Sequence, residues 1–413
     1  MKKAASGTAE KKNLEETDQL LQRDPWKWWR EKMPVTGQWA YFDHAAVSPL
    51  SAPAVEAIGR FAGEASASGD MSWPQWSAKA EHLRHQFSHL LNSHPSEICL
   101  IPNTTSGVNL VAEGLDWQPG DNVIVPEGEF PSNLFPWENQ ASKGVEIRLV
   151  PRRTSKNSSG GQVYEVAVDD LIEQIDKKTR LIAVSWVGYA SGFRIDLDRL
   201  VDLAHQRGVL VFLDSIQGLG IFPLDLKETP VDFMAADGHK WLLGPEGIGM
   251  AMIRQEHLDH LRCGQVGWNS VKQAFNYSRP KFNLRDAASR FEGGSTNLLG
   301  VAALSASVDL FAKVREVHGD DAISKRILML AGELESRLET LGIKTRLSDQ
   351  ERHRSGIVTF EISGIDPAAF RKVAIQENVV LSCRDGGVRA SIHAYNTSED
   401  LDRLVAVIEQ QLG

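Results

Sequence analysis

A lysine and an aspartate stand at the ends of two successive apolar runs. Asp214 ends the run Val209–Leu213, and Lys240 follows the run Val231–Ala236 within Asp237-Gly238-His239-Lys240. A lysine amine can form a Schiff base with an aldehyde, and a carboxylate can keep a pyridine nitrogen protonated so that the ring accepts electrons. Ligands bind at the carboxyl ends of strands in an open α/β sheet. The spacing therefore predicts a pyridoxal phosphate (PLP) site with Lys240 and Asp214 as catalytic residues.

A candidate phosphate site lies upstream, in Asn103-Thr104-Thr105-Ser106-Gly107. This segment stands just before the helical stretch Val108–Leu115. Hydroxyl groups and free backbone N–H groups at the start of a helix are suited to bind phosphate. Threonine and serine caps are common without any ligand, so the segment indicates a phosphate site only in combination with Lys240.

Composition and charge limit the class of protein. A length of 413 residues predicts roughly two to three domains. The hydrophobic content of 42% and charged content of 24% are typical of globular proteins. A net charge of −9 without a long basic stretch argues against a nucleic-acid partner. Three widely separated cysteines, Cys99, Cys263 and Cys383, favour a reducing compartment without disulfides.

The N-terminal region predicts no membrane contact. Met1-Lys2-Lys3 is not followed by the apolar core of a signal peptide, and the sequence has no run of about eighteen apolar residues. We therefore expect a cytoplasmic protein with no membrane partner. Residues 1 to about 24 are polar and are expected to form a loose end. Asp24–Arg30, with three tryptophans, is expected to dock against the body of the protein rather than lie on a membrane surface.

Strand and helix patterns alternate between about residues 41 and 230. Apolar runs such as Asn122–Val125 and Leu181–Ser185 are separated by amphipathic stretches such as Leu197–Gln206. This alternation predicts an α/β fold with a mostly parallel sheet sandwiched by helices. The Ser- and Gly-rich segment Arg152–Gly161 predicts a surface loop or hairpin.

After about Gly300 the pattern changes to that of an α+β domain. The expected elements are helices over Val301–Val317, Ala322–Leu341, Pro367–Glu377 and Ser398–Leu412, and strands over Gly356–Ile362, Val379–Ser382 and Val388–His393. We therefore divide the chain into an N-terminal segment 1–38 that joins the small domain, a large PLP-binding domain 39–298 and a small C-terminal α+β domain 299–413.

Six ordered segments match a known family: Tyr41–Ala46, Asn103–Ala112, Leu213–Gln217, Asp237–Lys240 with Gly244–Gly249, Arg290–Asn297, and Arg389–Thr397. Together they resemble the class V aminotransferase family of PLP fold-type I enzymes. The similar members are the cysteine desulfurase and selenocysteine lyase group and the isopenicillin N epimerase-like proteins. The resemblance implies a mostly parallel seven-stranded sheet in the large domain, a smaller α+β domain and PLP as cofactor.

The resemblance also implies roles for the cofactor-binding residues. Lys240 would bind the cofactor covalently, Asp214 would contact the pyridine nitrogen, and Gln217 the ring hydroxyl. The remaining cofactor-binding residues would be Thr104, Thr105 and His239 at the phosphate and Phe130 over the ring.

Substrate binding and assembly follow from the same resemblance. Arg389 would bind the α-carboxylate of an amino-acid substrate, because a planar guanidinium suits two carboxylate oxygens. His44 and Trp186 would also belong to the substrate site. Ser295 matches a threonine that the neighbouring subunit contributes to the phosphate, which implies a homodimer with shared active sites.

Several residues depart from the desulfurase pattern. Phe130 replaces a histidine over the ring and cannot shuttle protons, and Trp186 replaces an asparagine beside the ring hydroxyl. Asp237 replaces a serine at the phosphate, so its carboxylate is expected to point elsewhere. The segment Arg384–Val388 is shorter than the desulfurase loop and contains no thiol. Cys383 lies in the preceding strand and is expected to be inert.

These features predict an enzyme that acts at the α-carbon of an amino acid or derivative. Aminotransferase or isopenicillin N epimerase-like chemistry is the favoured reaction. A C–S or β-elimination lyase of the desulfurase-like group without the catalytic cysteine is the alternative. A non-catalytic PLP-fold binding subunit is the alternative from another class. No metal site is predicted, because His82, His85 and His89 lack an acid or cysteine to complete one.

Overall fold

Strands and helices alternate through most of the chain, whose residues 19–413 the computed structural model describes. The strands are β1 (Ala40–Tyr41), β2 (Ile98–Ile101), β3 (Asn122–Pro126), β4 (Glu146–Val150), β5 (Arg153–Lys156), β6 (Gln162–Glu165), β7 (Thr179–Ser185), β8 (Leu210–Asp214), β9 (Phe233–Asp237), β10 (Gly249–Ile253), β11 (Ile357–Phe360), β12 (Val379–Val380), β13 (Ser382–Arg384) and β14 (Gly387–Ser391). The α-helices are α1 (Pro25–Arg30), α2 (Ala52–Ser68), α3 (Trp73–Leu91), α4 (Thr104–Gly114), α5 (Phe135–Glu138), α6 (Val168–Glu173), α7 (Leu197–His205), α8 (Leu298–His318), α9 (Ala322–Thr340), α10 (Pro367–Gln376) and α11 (Ser398–Leu412). The predicted loose end falls mainly on residues 1–18, which lie outside the described residues.

A seven-stranded sheet in the order β2-β10-β9-β8-β7-β3-β4 forms the centre of the large domain. β10 runs antiparallel to its neighbours β2 and β9, and the other pairs are parallel. Alternate residues of β8 enter different cores, since Val211 and Leu213 pack on one face and Phe212 on the other. Both faces of the sheet are therefore covered, and the predicted mostly parallel sheet between helices is confirmed.

A second sheet, in the order β11-β14-β13, is antiparallel and belongs to the C-terminal part of the chain. Its core includes apolar residues of α9, α10 and α11. β1 pairs in parallel with β12, with Ala40 opposite Val379, so the first strand of the chain joins this region. The boundaries at 38/39 and 298/299 stay predictions.

The tryptophan-rich helix α1 docks on the body of the protein, as predicted. Trp28 and Trp29 are 2% and 0% exposed, and the Trp29 ring meets Phe311 of α8 edge-on with centroids 4.8 Å apart. Arg30 donates two hydrogen bonds, at 2.7 and 3.0 Å, to the carboxylate of Asp400 in α11. Helix α1 is thus anchored both to the large core and to the last helix.

Most predicted elements are confirmed within a few residues. Arg152–Gly161 lies in the hairpin formed by β5 and β6, whose strands are paired antiparallel. The predicted strand Val379–Ser382 is divided at Leu381, because β12 pairs with β1 whereas β13 pairs with β14. Helix α4 begins at Thr104, earlier than the predicted helical stretch, because Asn103 caps it. Within residues 19–413, no helix is both long and apolar enough to cross a membrane.

A buried carboxylate stabilises the end of the sheet where β9 begins. Asp232 accepts hydrogen bonds from His205 Nε2 at 2.9 Å, His257 Nε2 at 2.7 Å and the Val211 N–H at 2.7 Å. The hydrogen bond and charge of Asp232 raise the pKa of His205. Burial alone would raise the pKa of Asp232, but these hydrogen bonds lower it below its usual value. Asp232, Glu256 and His257 have ligand atoms within 4.8 Å of one another, and the absence of a metal site stays a prediction.

The His205–Asp232 pair predicts a pH-dependent stability. Since the folded-state pKa of His205 is raised above 6.5, its contribution is full below pH 6.5 and is lost as pH rises through that pKa. The contribution of Asp232 is present above 3.8 and is lost as pH falls through its lowered pKa. We expect His205→Gln to reduce the free energy of unfolding more at pH 6 than at pH 9, by about 1 kcal/mol or less for a partly exposed pair.

Urea unfolding of the wild type and the variant at both pH values measures this difference. The exposed His85 offers a matched control, since His85→Gln removes a histidine that has no carboxylate partner in the described structure. An equal loss of stability for His205→Gln at pH 6 and pH 9 would contradict the ionic contribution.

Candidate active site

The carboxyl ends of three neighbouring strands bring the predicted catalytic side chains together. β8 ends at Asp214, which lies opposite Ser185 at the end of β7 and Ala235 in β9. Lys240 follows β9 in a turn in which the Leu243 N–H donates to the Lys240 carbonyl at 3.0 Å. The sheet therefore places the aspartate and the lysine at one edge, as predicted for strand-end ligand sites.

Burial shifts the pKa of both predicted catalytic groups toward neutrality. Asp214 is 3% exposed, and its Oδ1 accepts a hydrogen bond from the Ile216 N–H at 3.1 Å. Burial raises the pKa of Asp214 to about 6. Burial also lowers the pKa of Lys240 to about 8, although the charge of Asp214 acts in the opposite direction. An amine with this pKa has a much larger neutral fraction at pH 7 to 8 than an exposed lysine.

Helix α4 begins directly beside the end of β9. Asn103 caps the helix, with Oδ1 accepting a backbone N–H of the first turn at 2.8 Å. Gly107 allows the helix to lie on the sheet, because a Cβ there would come within 2.5 Å of the Ala235 Cβ. The close approach lets the Asp237 N–H donate to Thr104 Oγ1 at 3.0 Å. The helix start and the lysine-bearing strand are therefore fixed relative to each other.

Polar side chains surround this helix start. Thr105 Oγ1 donates to Ser132 Oγ at 2.8 Å. His239 Nδ1 lies 3.0 Å from Asp237 Oδ2, so this carboxylate contacts the histidine. Asp237 Oδ1 and His239 Nδ1 are buried atoms for which residues 19–413 supply no well-aligned hydrogen-bond partner. The region thus holds hydroxyl groups and helix-terminal N–H groups in one place, which suits a phosphate, whereas the acceptor-only carboxylate of Asp237 is directed to His239.

Gln217 ties the segment after β8 to the lysine turn. Its Nε2 donates to the Ala45 carbonyl at 3.0 Å, and its Oε1 accepts from Trp241 Nε1 at 2.7 Å. Trp241 is fully buried and directly follows Lys240. Gln217 therefore positions the lysine turn, and its predicted contact with a ring hydroxyl stays a prediction.

His44 is fully buried between two groups of the C-terminal region. Its Nδ1 lies 2.8 Å from the Ser391 carbonyl oxygen, and its Nε2 lies 2.6 Å from the Tyr395 hydroxyl. Burial lowers the pKa of His44 to about 4, so the ring is neutral at pH 7. Both ring nitrogens are engaged by the protein, and the predicted role of His44 at the substrate stays a prediction.

The two aromatic departures from the family pattern differ in exposure. Phe130 is 43% exposed, with its ring centroid 5.7 Å from Lys240 Nζ and an edge contact to Tyr189. Such a ring can stack on a planar ligand beside the lysine. Trp186 is 5% exposed and packs on Gly218, where a Cβ would come within 2.4 Å of the indole. Trp186 belongs to the hydrophobic core, and its predicted substrate contact stays a prediction.

Arg389 is held by three groups on different segments. Its Nε donates to Ser382 Oγ at 3.1 Å, its Nη1 to the Tyr189 carbonyl at 2.7 Å and its Nη2 to Asp43 Oδ1 at 3.3 Å. Arg389 is 1% exposed, and burial lowers its pKa to about 10 against the charge of Asp43. The guanidinium is therefore charged at pH 7, rigid and largely dehydrated, as required to bind a carboxylate strongly.

Ser295 is exposed and lies between two anchored residues. Glu292 accepts hydrogen bonds from Arg84 Nη1 and the Leu100 N–H, both at 2.7 Å. Asn297 caps α8 and donates to a carbonyl oxygen at 3.1 Å. Ser295 and Thr105 line the same cavity of about 680 Å³. The predicted reach of Ser295 to a second subunit stays a prediction.

The sequence patterns did not single out two carboxyl groups that the structure places at the site. Glu129 Oε1 accepts the Ser185 N–H at 2.7 Å, and burial raises the pKa of Glu129 to about 7, with a further increase from the charge of Asp214. Asp43 pairs with Arg389. Glu129 follows shortly after the end of β3, and an acidic residue in that position could have marked it as a site residue. No local signal marks Asp43 as the partner of a residue so distant in the chain.

The residues present fit PLP. The site offers a lysine amine with a lowered pKa, a buried carboxylate without a salt-bridge partner in the described structure, and hydroxyl and N–H groups at a helix start. These are the groups that an aldehyde, a pyridine nitrogen and a phosphate require. The exposed face of Phe130 adds a surface for a planar ring.

Comparison with known families identifies the class of protein. The family model described as "Aminotransferase class-V" matches residues 40–404. The chain therefore belongs to the class V aminotransferase family, and it is a PLP-dependent enzyme of fold type I.

The relatives and structural neighbours include cysteine desulfurases. The chain is 29% identical over 406 residues to a probable cysteine desulfurase of Methanothermobacter thermautotrophicus, covering 93% of this chain and 97% of the relative. A structure of the cysteine desulfurase CsdA from Escherichia coli aligns with a TM-score of 0.81 at 26% identity, covering 94% of this chain and 98% of that chain. A complex of the cystine C–S lyase C-DES has a TM-score of 0.81 at 23% identity and covers 91% and 98% of the two chains, which shows a shared fold.

The lowered pKa of Lys240 predicts that this amine alone carries the cofactor. Borohydride reduction of the loaded protein should fix PLP to Lys240, as peptide mass mapping will show. Lys240→Ala should keep only non-covalently bound PLP and lose at least about a hundredfold in turnover, the usual scale for removing a catalytic base. The exposed Lys143 provides the control, because Lys143→Ala removes an amine already paired with Glu113. Reduced cofactor on any other lysine would disprove the assignment.

Proposed function

We propose that this protein is a PLP-dependent lyase that cleaves the bond between sulfur and the β-carbon of an amino acid, without using a cysteine of its own. The relatives favour this lyase interpretation over the aminotransferase or epimerase interpretation that the sequence patterns favoured. Their names apply to those proteins, and the reaction proposed here rests on the site of this chain.

The observation that carries the proposal is the position of Cys383. Its Sγ donates to the Pro367 carbonyl at 3.0 Å, and burial raises the pKa of the thiol above its usual value. Cys383 lies within β13, which is joined to β14 by Asp385 and Gly386 only, with Arg384 paired to Gly387. A protonated thiol held in a paired strand is poorly suited to attack a substrate sulfur, which requires a mobile thiolate.

The other side chains of the site can carry out the steps of an elimination. PLP, when bound, supplies an electrophilic carbon and a ring that withdraws electrons from the substrate's α-carbon. Asp214 would hold a proton near the ring nitrogen, and Lys240 would remove the α-proton as a general base. The bond between β-carbon and sulfur then breaks with its electron pair leaving on sulfur, and Lys240 can return a proton to the departing sulfur. With one water, the products are a thiol, pyruvate and ammonia.

Arg389 would fix the substrate for this step. Three protein groups hold the guanidinium in place, so a substrate α-carboxylate would meet a preorganised fork. Asp43 neutralises the buried arginine when no substrate is present. The remaining cofactor contacts would come from Gln217, Thr104, Thr105, His239 and Phe130.

Product analysis tests the reaction. With L-cystine and S-methyl-L-cysteine as substrates, we expect pyruvate, ammonia and a sulfur product in equal amounts. Cys383→Ser should keep turnover within about twofold, because its hydroxyl can make the same contact with Pro367 and no persulfide forms on the protein. Lys240→Ala provides the inactive control. A sulfur-containing keto acid, a D-amino acid, or loss of turnover in Cys383→Ser would each contradict the proposal.

We also propose a homodimer in which Ser295 reaches the phosphate site of the second copy. Ser295 is exposed and lies on a segment fixed by Glu292 and Asn297, so it is presented on the surface of its own subunit. Its hydroxyl can donate to a phosphate oxygen. Each site would then contain Lys240 of one subunit and Ser295 of the other.

Hybrid dimers test the shared site. A dimer of one Lys240→Ala subunit and one Ser295→Ala subunit should carry both changes in one site and leave the other intact. Its activity should therefore exceed that of either parent dimer, provided that Ser295→Ala alone reduces activity at low PLP concentration. An active, PLP-loaded monomer in sedimentation experiments would contradict the shared site.

A further inference from the structure

A second arginine lies on the active-site side of β13. Ser382 and Arg384 are two residues apart in this strand, so their side chains point to the same face, and Cys383 points to the other. Ser382 contacts Arg389, whereas Cys383 contacts Pro367. Arg384 therefore shares the face of β13 that carries the arginine-binding serine.

The turn after Arg384 fixes the position of this arginine. Asp385 and Gly386 have φ values of 50° and 75°, and Arg384 pairs with Gly387 across the turn. Positive φ at both central residues is the geometry of a tight two-residue hairpin, for which Asp-Gly is a favoured sequence. Arg346 also donates to the Asp385 carbonyl at 2.9 Å. The turn is thus fixed by the pairing of Arg384 with Gly387 and by the hydrogen bond from Arg346 to the Asp385 carbonyl.

Arg384 has no carboxylate partner within salt-bridge distance in the part of the chain that the structure describes. Its Nη1 donates to the Cys383 carbonyl at 2.8 Å, and the neighbouring acid, Asp385, pairs with Arg346 at 3.4 Å. Arg389, in contrast, is paired with Asp43. Arg384 thus retains guanidinium N–H groups for another acceptor.

The positive charge of Arg384 also acts on Lys240 and Arg389, in keeping with its position on the face of β13 that carries Ser382. Burial lowers the pKa of Lys240 most, and the charges of Arg389 and Arg384 lower it further. Burial and the charge of Arg384 likewise lower the pKa of Arg389. The guanidinium groups of Arg384 and Arg389 therefore both act on this site. Because one α-carboxylate binds only one of them, the other remains available for a second anion.

We propose that Arg384 determines substrate specificity by binding a second anionic group, carried on the side chain of the amino-acid substrate. Arg389 would hold the α-carboxylate, and Arg384 would hold a side-chain carboxylate or a similar anion. This inference rests on the proposed function for its choice of an amino-acid substrate with Arg389 at the α-carboxylate. A short turn, rather than a mobile thiol-bearing loop, would thus supply a fixed cation that selects acidic substrates.

Binding of isosteric amino-acid pairs to the PLP-loaded protein tests the inference. L-aspartate and L-asparagine differ in charge at nearly constant shape, as do S-carboxymethyl-L-cysteine and S-carbamoylmethyl-L-cysteine, which are longer. In calorimetry, the acidic member of at least one pair should bind about tenfold more tightly or better than the neutral member. A tenfold ratio corresponds to the weakest hydrogen bonds formed with a charged group. Arg384→Gln should reduce that ratio below about twofold.

Arg371 is the matched control, because it belongs to α10 and its Nε donates to the Leu381 carbonyl at 2.9 Å. Arg371→Gln removes one positive charge from the same region and should preserve the acidic preference. Equal affinity within both pairs for the wild type, or an unchanged ratio in Arg384→Gln, would overturn the inference. An acidic preference that depends on Arg384 would support it even if no C–S cleavage occurs, so binding and turnover distinguish this inference from the proposed reaction.

Discussion

Asp214 and Lys240 are ionisable groups withdrawn from water at neighbouring strand ends, and the described structure gives them no close salt bridge with each other. Burial raises the pKa of the carboxyl group to about 6 and lowers that of the amine to about 8. The amine can therefore change protonation state near neutral pH, which a general base at an α-carbon requires, and the carboxylate is available beside it to contact a protonated ring nitrogen. Helix α4 protects this region, since Gly107 allows it to lie directly on β9.

The candidate site contains residues from the region of the seven-stranded sheet and from the C-terminal α+β region. Hydrogen bonds within the site connect these two regions. Arg389 of β14 contacts Tyr189 and Asp43, which lie far away in sequence. His44 similarly contacts the Ser391 carbonyl at the end of β14 and the Tyr395 hydroxyl beyond it. A substrate carboxylate at Arg389 would therefore be held against a lysine from the other domain. Relative movement of the two domains would change this geometry, so these contacts preserve the preorganisation on which catalysis depends.

Under the proposed function, the β13–β14 turn would account for a sulfur chemistry that uses no cysteine of the protein. A tight Asp385-Gly386 turn leaves no mobile segment for a nucleophilic thiol, and Cys383 faces Pro367. The same turn fixes Arg384 on the face that carries Ser382. The chemistry proposed here therefore relies on the cofactor and Lys240 for bond cleavage, while fixed arginines orient the substrate.

Local periodicity and the residues that follow strands were enough to predict a mostly parallel sheet and a PLP site with Lys240 and Asp214. The sheet and the class of cofactor are confirmed, and the roles of the two residues stay predictions. The amino-acid sequence also indicated that the turn after Cys383 is short and contains no thiol. Spacing could not distinguish elimination from transamination, since both reactions begin with loss of the same α-proton.

Which distant groups form an ion pair or a hydrogen bond became clear from the folded structure. The partnership of Arg389 with Asp43, the burial of Glu129 beside Asp214, and the engagement of both His44 nitrogens depend on contacts between remote segments. Trp186 likewise enters the core because its indole packs on Gly218. Sequence patterns report which face of an element is apolar, but the pKa of a buried group depends on everything packed around it.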